Sequence, residues 1–231
     1  MAEIDISPLD TEDGVMQIAI YQSWLEGTQE QVNEGLISSE KRDFDIASLL
    51  YQKDQEIALH RRDSYLDPLT QLPNRRSFDE TYQQLIQDGN PFGMLIIDVD
   101  NLKQYNEDYG HGATDTILAQ IALAMNTSIR HAEHDRKNDF LARYAGDEFV
   151  AFFPDMQNTD QLQHAADNLL TTVRRPISIH VDGVHTFMLP SVSIGGAMYD
   201  KSDPTVFFEK VDRLGLQKAK ETGKGRAIIL Q

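Results

Sequence analysis

Phe140-Leu141-Ala142-Arg143-Tyr144-Ala145-Gly146-Asp147-Glu148-Phe149-Val150-Ala151-Phe152-Phe153 decides the architecture. Two apolar-rich runs, Phe140–Tyr144 and Phe149–Phe153, flank a short polar stretch, the pattern of a β-hairpin. A hairpin makes part of any sheet it joins antiparallel. Upstream, Gly93–Val99 places four apolar residues in a row before acid and predicts a buried strand. Helices alternate with these strands. Asn74 can cap a helix running to about Asp88, and Leu102 to about Arg130 is mostly helical with a break around Gly110–Gly112. Thr159–Val173 and Pro204–Thr222 are further predicted helices. Thr186–Tyr199 reads as strand, with Pro190 and Gly195-Gly196 as bulge or edge points, and Arg226–Leu230 as a closing strand. The expected class is α+β: one mixed β-sheet flanked by helices over residues 65–231.

Residues 1–64 have a different texture and predict an all-α N-terminal region. They contain no strand-like run and read as two helical stretches, about Asp13–Glu34 and Ser38–Arg62, broken near Gly35. Val15, Ile18, Ala19 and Leu25 form a partly amphipathic pattern, as do Ile46, Leu49, Leu50 and Ile57. Lys53 and His60 interrupt any clean heptad seam. A small bundle or stalk and a regulatory or dimerising element both fit this pattern.

Composition excludes several function classes. The chain has no cysteine, so disulfides and Cys-ligated metal centres are out. The net charge is −16, and residues 1–64 carry 14 acids against 5 Lys/Arg, a net of −9. Such a chain is a poor ligand for nucleic acid or an anionic membrane, because both need basic surface. Its acidic start does not read as a signal peptide, and no apolar run approaches a membrane span. The expected location is cytoplasmic. The histidines, His111 included, show no zinc spacing.

The acids that end apolar strands carry the chemical signal. Asp98 and Asp100 close Leu95-Ile96-Ile97, and alternation along a strand would send both to one face. Asp147 and Glu148 occupy the tip of the predicted hairpin. If the hairpin lies beside the Asp98 strand, Asp98 and Asp147 could share one or two cations, since Mg²⁺ favours a few carboxylates plus waters and substrate phosphates. For any one of these acids the plainer alternative is an Asp that bonds local backbone at a strand end or turn.

Five segments in order then resemble the GGDEF diguanylate cyclases. Arg143-Tyr144-Ala145-Gly146-Asp147-Glu148-Phe149 resembles the signature hairpin, with Ala145 for the first Gly. Asp98-Val99-Asp100-Asn101-Leu102-Lys103-Gln104-Tyr105-Asn106 resembles D-x-D-x-F-K-x-x-N, and Gly110-His111 with Asp115 continues it. Asp67–Arg76 resembles the opening D-x-L-T-G-L-x-N-R, with Gln71 for Gly. Ala219–Lys224 resembles the closing A-K-x-x-G-R, with Lys224 for Arg. Leu102 stands for Phe, and Leu214-Gly215-Leu216 stands where the family has A-L-Y, with a spacing shifted by one.

The resemblance implies a palm-like fold and a reaction. Two GTP molecules, one per subunit of a homodimer, would be joined into cyclic di-GMP with release of two pyrophosphates. Two Mg²⁺ (or Mn²⁺) ions per active site would sit on Asp98, the Val99 carbonyl, Asp147 and Glu148. Asp147 and Glu148 would be the catalytic residues. Asn106 and Asp115 would read guanine. Asn101, Leu102, Lys103, Gly146, Lys220 and Lys224 would contact the rest of the nucleotide. Arg136 and Asp139 match the family's R-x-x-D inhibitory site, which implies product inhibition by cyclic di-GMP. A catalytically inactive domain that binds GTP or cyclic di-GMP as a receptor is the alternative. A palm enzyme with another base preference is a further one, against which Asp115 speaks, because adenine lacks the donors a carboxylate would accept.

Overall fold

The structure, a computed structural model, describes residues 64–129, 139–181 and 183–231, with scattered positions between 23 and 53. The chain divides into two compact units, Met1–Arg61 and Arg62–Gln231. In the first unit the described positions are helical, apart from a turn at Gly35 with φ 71°. The remainder of both predicted N-terminal helices lies outside the described residues. No helix among the described residues is long and apolar enough to cross a membrane.

The second unit runs α1 (Arg75–Asp88), β1 (Phe92–Val99), α2 (Leu102–Ser128), β2 (Phe140–Ala145), β3 (Glu148–Pro154) and α3 (Thr159–Val173). It continues with β4 (Ile177–Val181), β5 (Val184–Met188), β6 (Val192–Met198), α4 (Pro204–Lys210), a π-turn (Val211–Leu216), α5 (Gln217–Glu221) and β7 (Ala227–Leu230). Five strands form one sheet in the order β2-β3-β1-β6-β7, antiparallel except for β6 with β7, and β4-β5 is a separate hairpin. The α+β reading is correct. Two boundaries are not: Thr186–Tyr199 is two strands in two sheets, parted at Leu189–Ser191, and β4 escaped notice. Pro190 cannot donate to a ladder, so the chain leaves one sheet there and enters the other.

β1 sits at the centre because it is apolar on both faces, and all eight of its residues are buried. Its side chains alternate between two cores. Leu95, Ile97 and Val99 pack with Ile117, Ile121 and Met125 of α2 and Leu162 and Leu169 of α3. Phe92, Met94 and Ile96 pack with Phe78 and Tyr82 of α1, Phe152 of β3, and Phe207 and Leu216 beyond β6. Each such side chain contributes roughly 1.5–3 kcal/mol of transfer free energy. Asp98 continues the parity of Met94 and Ile96, so the second face delivers it to the sheet edge.

The predicted helix Pro204–Thr222 is interrupted. Six residues, Val211–Leu216, take π geometry before the last short helix. A π-turn holds one more residue than the equivalent α-turn, which accommodates the shifted spacing around Leu214-Gly215-Leu216. This turn lies directly on β6. A Cβ added to Gly195 would stand 2.1 Å from Leu216 N, and one added to Gly215 would stand 2.9 Å from Gly195 Cα. Only glycine at both positions lets the segment approach the sheet so closely, and Lys220 follows one turn later.

Candidate active site

Cross-strand register brings the acids together. Asp98 pairs directly with Glu148 across β1 and β3. Opposed residues on antiparallel strands share a face, so the two carboxyl groups lie on the same side of the sheet. Val99 N donates to the Asp147 carbonyl at 3.1 Å, which ties the hairpin turn to the end of β1. Lys220 Nζ reaches Asp98 Oδ2 at 2.7 Å from α5. Burial first, then Asp147 and Glu148, push the Asp98 carboxyl up to about 6 against the pull of Lys220. Glu148 is likewise raised, by burial first and then by Asp147 and Asp212, with Lys220 opposing. Carboxylates that repel one another beside a single ammonium form a donor set short of positive charge.

No group of three or more His, Cys, Asp or Glu side chains among the described residues forms a ready metal cage. Asp98 and Glu148, opposed across β1 and β3, are hard oxygen donors of the kind that Mg²⁺ takes together with waters and substrate phosphate. The residues present fit such an ion.

The turn itself is clamped by an arginine that the sequence reading left without a role. Arg143 donates from Nε and Nη2 to the Gly146 carbonyl, at 2.9 and 2.7 Å. Its Nη1 donates to Asp67 Oδ1 at 3.0 Å, and Asp67 also accepts from Thr70 N and Oγ1. Burial raises the Asp67 carboxyl, but the bonds from Thr70 and Arg143 outweigh it and hold the group below its ordinary value. Gly146 has φ 46°, whereas Ala145 is a strand residue outside the left-handed region, so its methyl adds no backbone strain. The pair joins positions 76 apart, which no local pattern discloses.

The nucleotide-binding candidates occupy α2 and the tail. Asn101 precedes α2 with φ 62°, and its side chain makes no capping bond. Its Oδ1 accepts instead from Lys224 Nζ at 2.7 Å. Leu102, the first helical residue, packs against the core. Lys103 is 92% exposed and only 3.8 Å from Glu107. Asn106 is half-buried and Asp115 exposed. They lie on opposite sides of a bend at Gly110, where φ 78° and ψ 164° break the helix as expected.

One expectation is corrected. Asp100 does not accompany Asp98, because β1 ends at Val99 and the chain turns. Asp100 is 2% exposed and accepts from Ser191 Oγ and Ser193 Oγ, both at 2.7 Å, and from Gly225 N at 3.0 Å.

Arg136 lies outside the described residues. Asp139 is buried at the start of the hairpin, on a cleft of about 530 Å³ that Asp155, Gln161, His164 and Asn168 also line. The length of β2 separates this cleft from Asp147, about 20 Å at the usual rise per residue. It is a different place from the carboxylate cluster.

Comparison with known proteins agrees with this geometry. The family described as "Diguanylate cyclase, GGDEF domain" matches residues 64–226. The cyclic di-GMP phosphodiesterase PdeR of Escherichia coli K12 is 34% identical over 169 residues, covering 71% of this chain and 23% of that one. The diguanylate cyclase DgcP of Pseudomonas aeruginosa is 31% identical over 176 residues, covering 73% and 24%. The chain thus spans about a quarter of the length of these relatives. The solved GGDEF domain of TpbB (YfiN) from P. aeruginosa superposes with a TM-score of 0.63 at 27% identity, covering 72% of this chain and 94% of that one. Ordered motifs, sheet and family match converge: this chain belongs to the GGDEF domain family.

Proposed function

We propose that the chain is a diguanylate cyclase, condensing two GTP into cyclic di-GMP and two pyrophosphates between two copies of itself. The observation that carries this reading is the Asp98–Glu148 cross-strand pair, with the Asp147 turn bound to Val99 and Lys220 on Asp98. Each 3′-oxygen attacks the α-phosphorus of the other nucleotide, its proton departs, and pyrophosphate leaves with the bonding pair. Asp98, the Val99 carbonyl, Asp147 and Glu148 would hold Mg²⁺ or Mn²⁺, two ions per site. Such ions lower the pKa of an attacking hydroxyl and neutralise charge on the phosphoryl group. Glu148, which faces Asp98 across the two strands, is the residue proposed to accept the 3′ proton.

The remaining residues bind. The Asp115 carboxylate accepts from guanine N1–H and the exocyclic amine, and the Asn106 amide serves N3 and that amine. Adenine leaves Asp115 unpaired, which sets the choice of base. Backbone amides at Asn101 and Leu102, with Lys103, Lys220 and Lys224, take the phosphates, since a helix amino end favours anions. Gly146 leaves room beside the turn, where an added Cβ would meet nothing within 4 Å. Arg136 and Asp139 form a product-inhibition site, Arg by its planar fork and Asp by accepting guanine donors.

The test is incubation of the full chain with GTP and Mg²⁺, with the product identified by mass spectrometry, beside Asp147→Ala. Cyclic di-GMP from the wild type and none from the variant is the expected result. A wild type that makes none, yet binds cyclic di-GMP in calorimetry, is a receptor instead. The similarity to a protein named a cyclic di-GMP phosphodiesterase keeps that arm worth measuring.

A further inference from the structure

Asp100 is the acid that the carboxylate cluster does not use, and its surroundings are specific. Its side chain accepts three hydrogen bonds in a buried site, and its own N–H donates to Ser191 O at 3.0 Å. One of its three donors, Gly225 N, belongs to a turn 125 residues away in sequence. That turn is unusual. Gly223, Lys224 and Gly225 have φ of 122°, 59° and 57°, three successive left-handed residues, one of which carries a side chain. Backbone of this kind persists only where its surroundings fix it. The fixing bonds are Lys224 N to Ala219 O at 3.0 Å, Arg174 Nη2 to Gly225 O, and Gly225 N to Asp100. The outcome is that Lys224 Nζ lies 2.7 Å from the side chain of Asn101, the residue after Asp100.

We infer that Asp100 is a positioning residue for the triphosphate: by holding Gly225 it sets the turn that brings Lys224 to Asn101 at the amino end of α2. A carboxylate so close to phosphate would ordinarily repel it. Here three donors enclose the charge, and charge-assisted bonds are the strong kind, suited to pinning a strained turn. Asp100 touches no substrate and acts through the backbone it holds. The inference rests on the GTP reading proposed above.

Affinity of the full chain for the α,β-methylene analogue of GTP with Mg²⁺, and for guanosine by competition, tests it in four proteins. Asp100→Ala leaves the Gly225 N–H without its acceptor, and we expect it to weaken the analogue by about tenfold, the size of one good polar contact. Guanosine, read by Asn106 and Asp115, should bind unchanged. Asp100→Asn keeps one oxygen for Gly225 while a serine hydroxyl turns to accept, so about threefold of loss is expected, a partial rescue. Lys224→Ala should weaken the analogue, and its combination with Asp100→Ala should add little, because both changes remove the same contact. Equal losses for guanosine and analogue, or full additivity with Lys224→Ala, would overturn the inference. If Asp100→Ala does not fold, Asp100→Asn decides: analogue affinity equal to wild type rejects the proposal. A wild type that ignores the analogue, or a Lys224→Ala that binds it normally, rejects the GTP or phosphate reading instead.

Discussion

Asp98 is 6% exposed, faces one ammonium and shares its neighbourhood with two other acids. Its carboxyl titrates at about 6 in the fold against 3.8 ordinarily. Below 3.8 it is protonated in both folded and unfolded chains and costs nothing. Between 3.8 and about 6 the folded chain holds the extra proton, so stability falls as pH rises, and above 6 the penalty is complete. At about 1.4 kcal/mol per unit the penalty is on the order of 3 kcal/mol. Asp98→Asn removes it. We expect the variant to melt roughly 4 °C or more above wild type at pH 7.5 and to lose that advantage at pH 4, while making no product. Thermal melts across this range check it, and a variant less stable at pH 7.5 would show that the Lys220 pair outweighs burial. At this scale the sequence was informative where alternation held, as at Asp98. It misled one step later, where β1 ended and Asp100 turned into the protein. Strand termini are set by where hydrogen-bonded partners run out, and a single strand does not display its partners.

α2 is two helices welded at Gly110, and the weld sets the angle between the Asn106 half and the Asp115 half. Its φ and ψ lie in a region that is essentially glycine's alone. Gly110→Ala has open space for its methyl but not the backbone conformation. We expect a cost of about 1–3 kcal/mol and a raised KM for GTP, as Asn106 and Asp115, the residues proposed to read guanine, swing apart. Denaturant unfolding and GTP titration measure both, and unchanged KM would separate the bend from base recognition. The β2–β3 hairpin depends on a comparable joint, the Arg143 fork between Gly146 and Asp67. Arg143→Ala removes a pair whose side chains are only 14% and 18% exposed, and should cost about 2 kcal/mol and lower kcat more than it raises KM. The hairpin, the bend and the helix cap at Asn74 were all legible, because turn residues and alternation are local signals. The π-turn was visible only as a spacing shifted by one, and the β5–β6 break showed only as Pro190, which marks an edge or bulge as readily as a change of sheet. Both are settled by distant strands: Gly195 and Gly196 receive the π-turn, and β6 leaves β5 to join β1.

For the whole chain, the proposed chemistry needs two nucleotides and one copy carries one set of the residues proposed to read guanine, so concentration enters the rate. Among the described residues, both core clusters are built from residues of Arg62–Gln231. A chain lacking residues 1–61 should therefore fold, with the melting midpoint of the catalytic unit kept. If the N-terminal region is what pairs two copies, specific activity of the shortened chain should fall steeply on dilution while that of the full chain holds. Charge adds a second signature. The −9 of residues 1–64 repels its own copy, and salt screens that repulsion over a Debye length of about 10 Å at 0.1 M. Raising ionic strength from about 0.01 to 0.15 M should shift the full chain's activity to lower protein concentration by more than it shifts the shortened chain's, because removing residues 1–61 removes −9 of the net −16. Sedimentation at matched concentrations reads the same equilibrium without GTP. Superimposable dilution curves for the two chains would remove the N-terminal region from assembly and leave the catalytic units to find each other unaided.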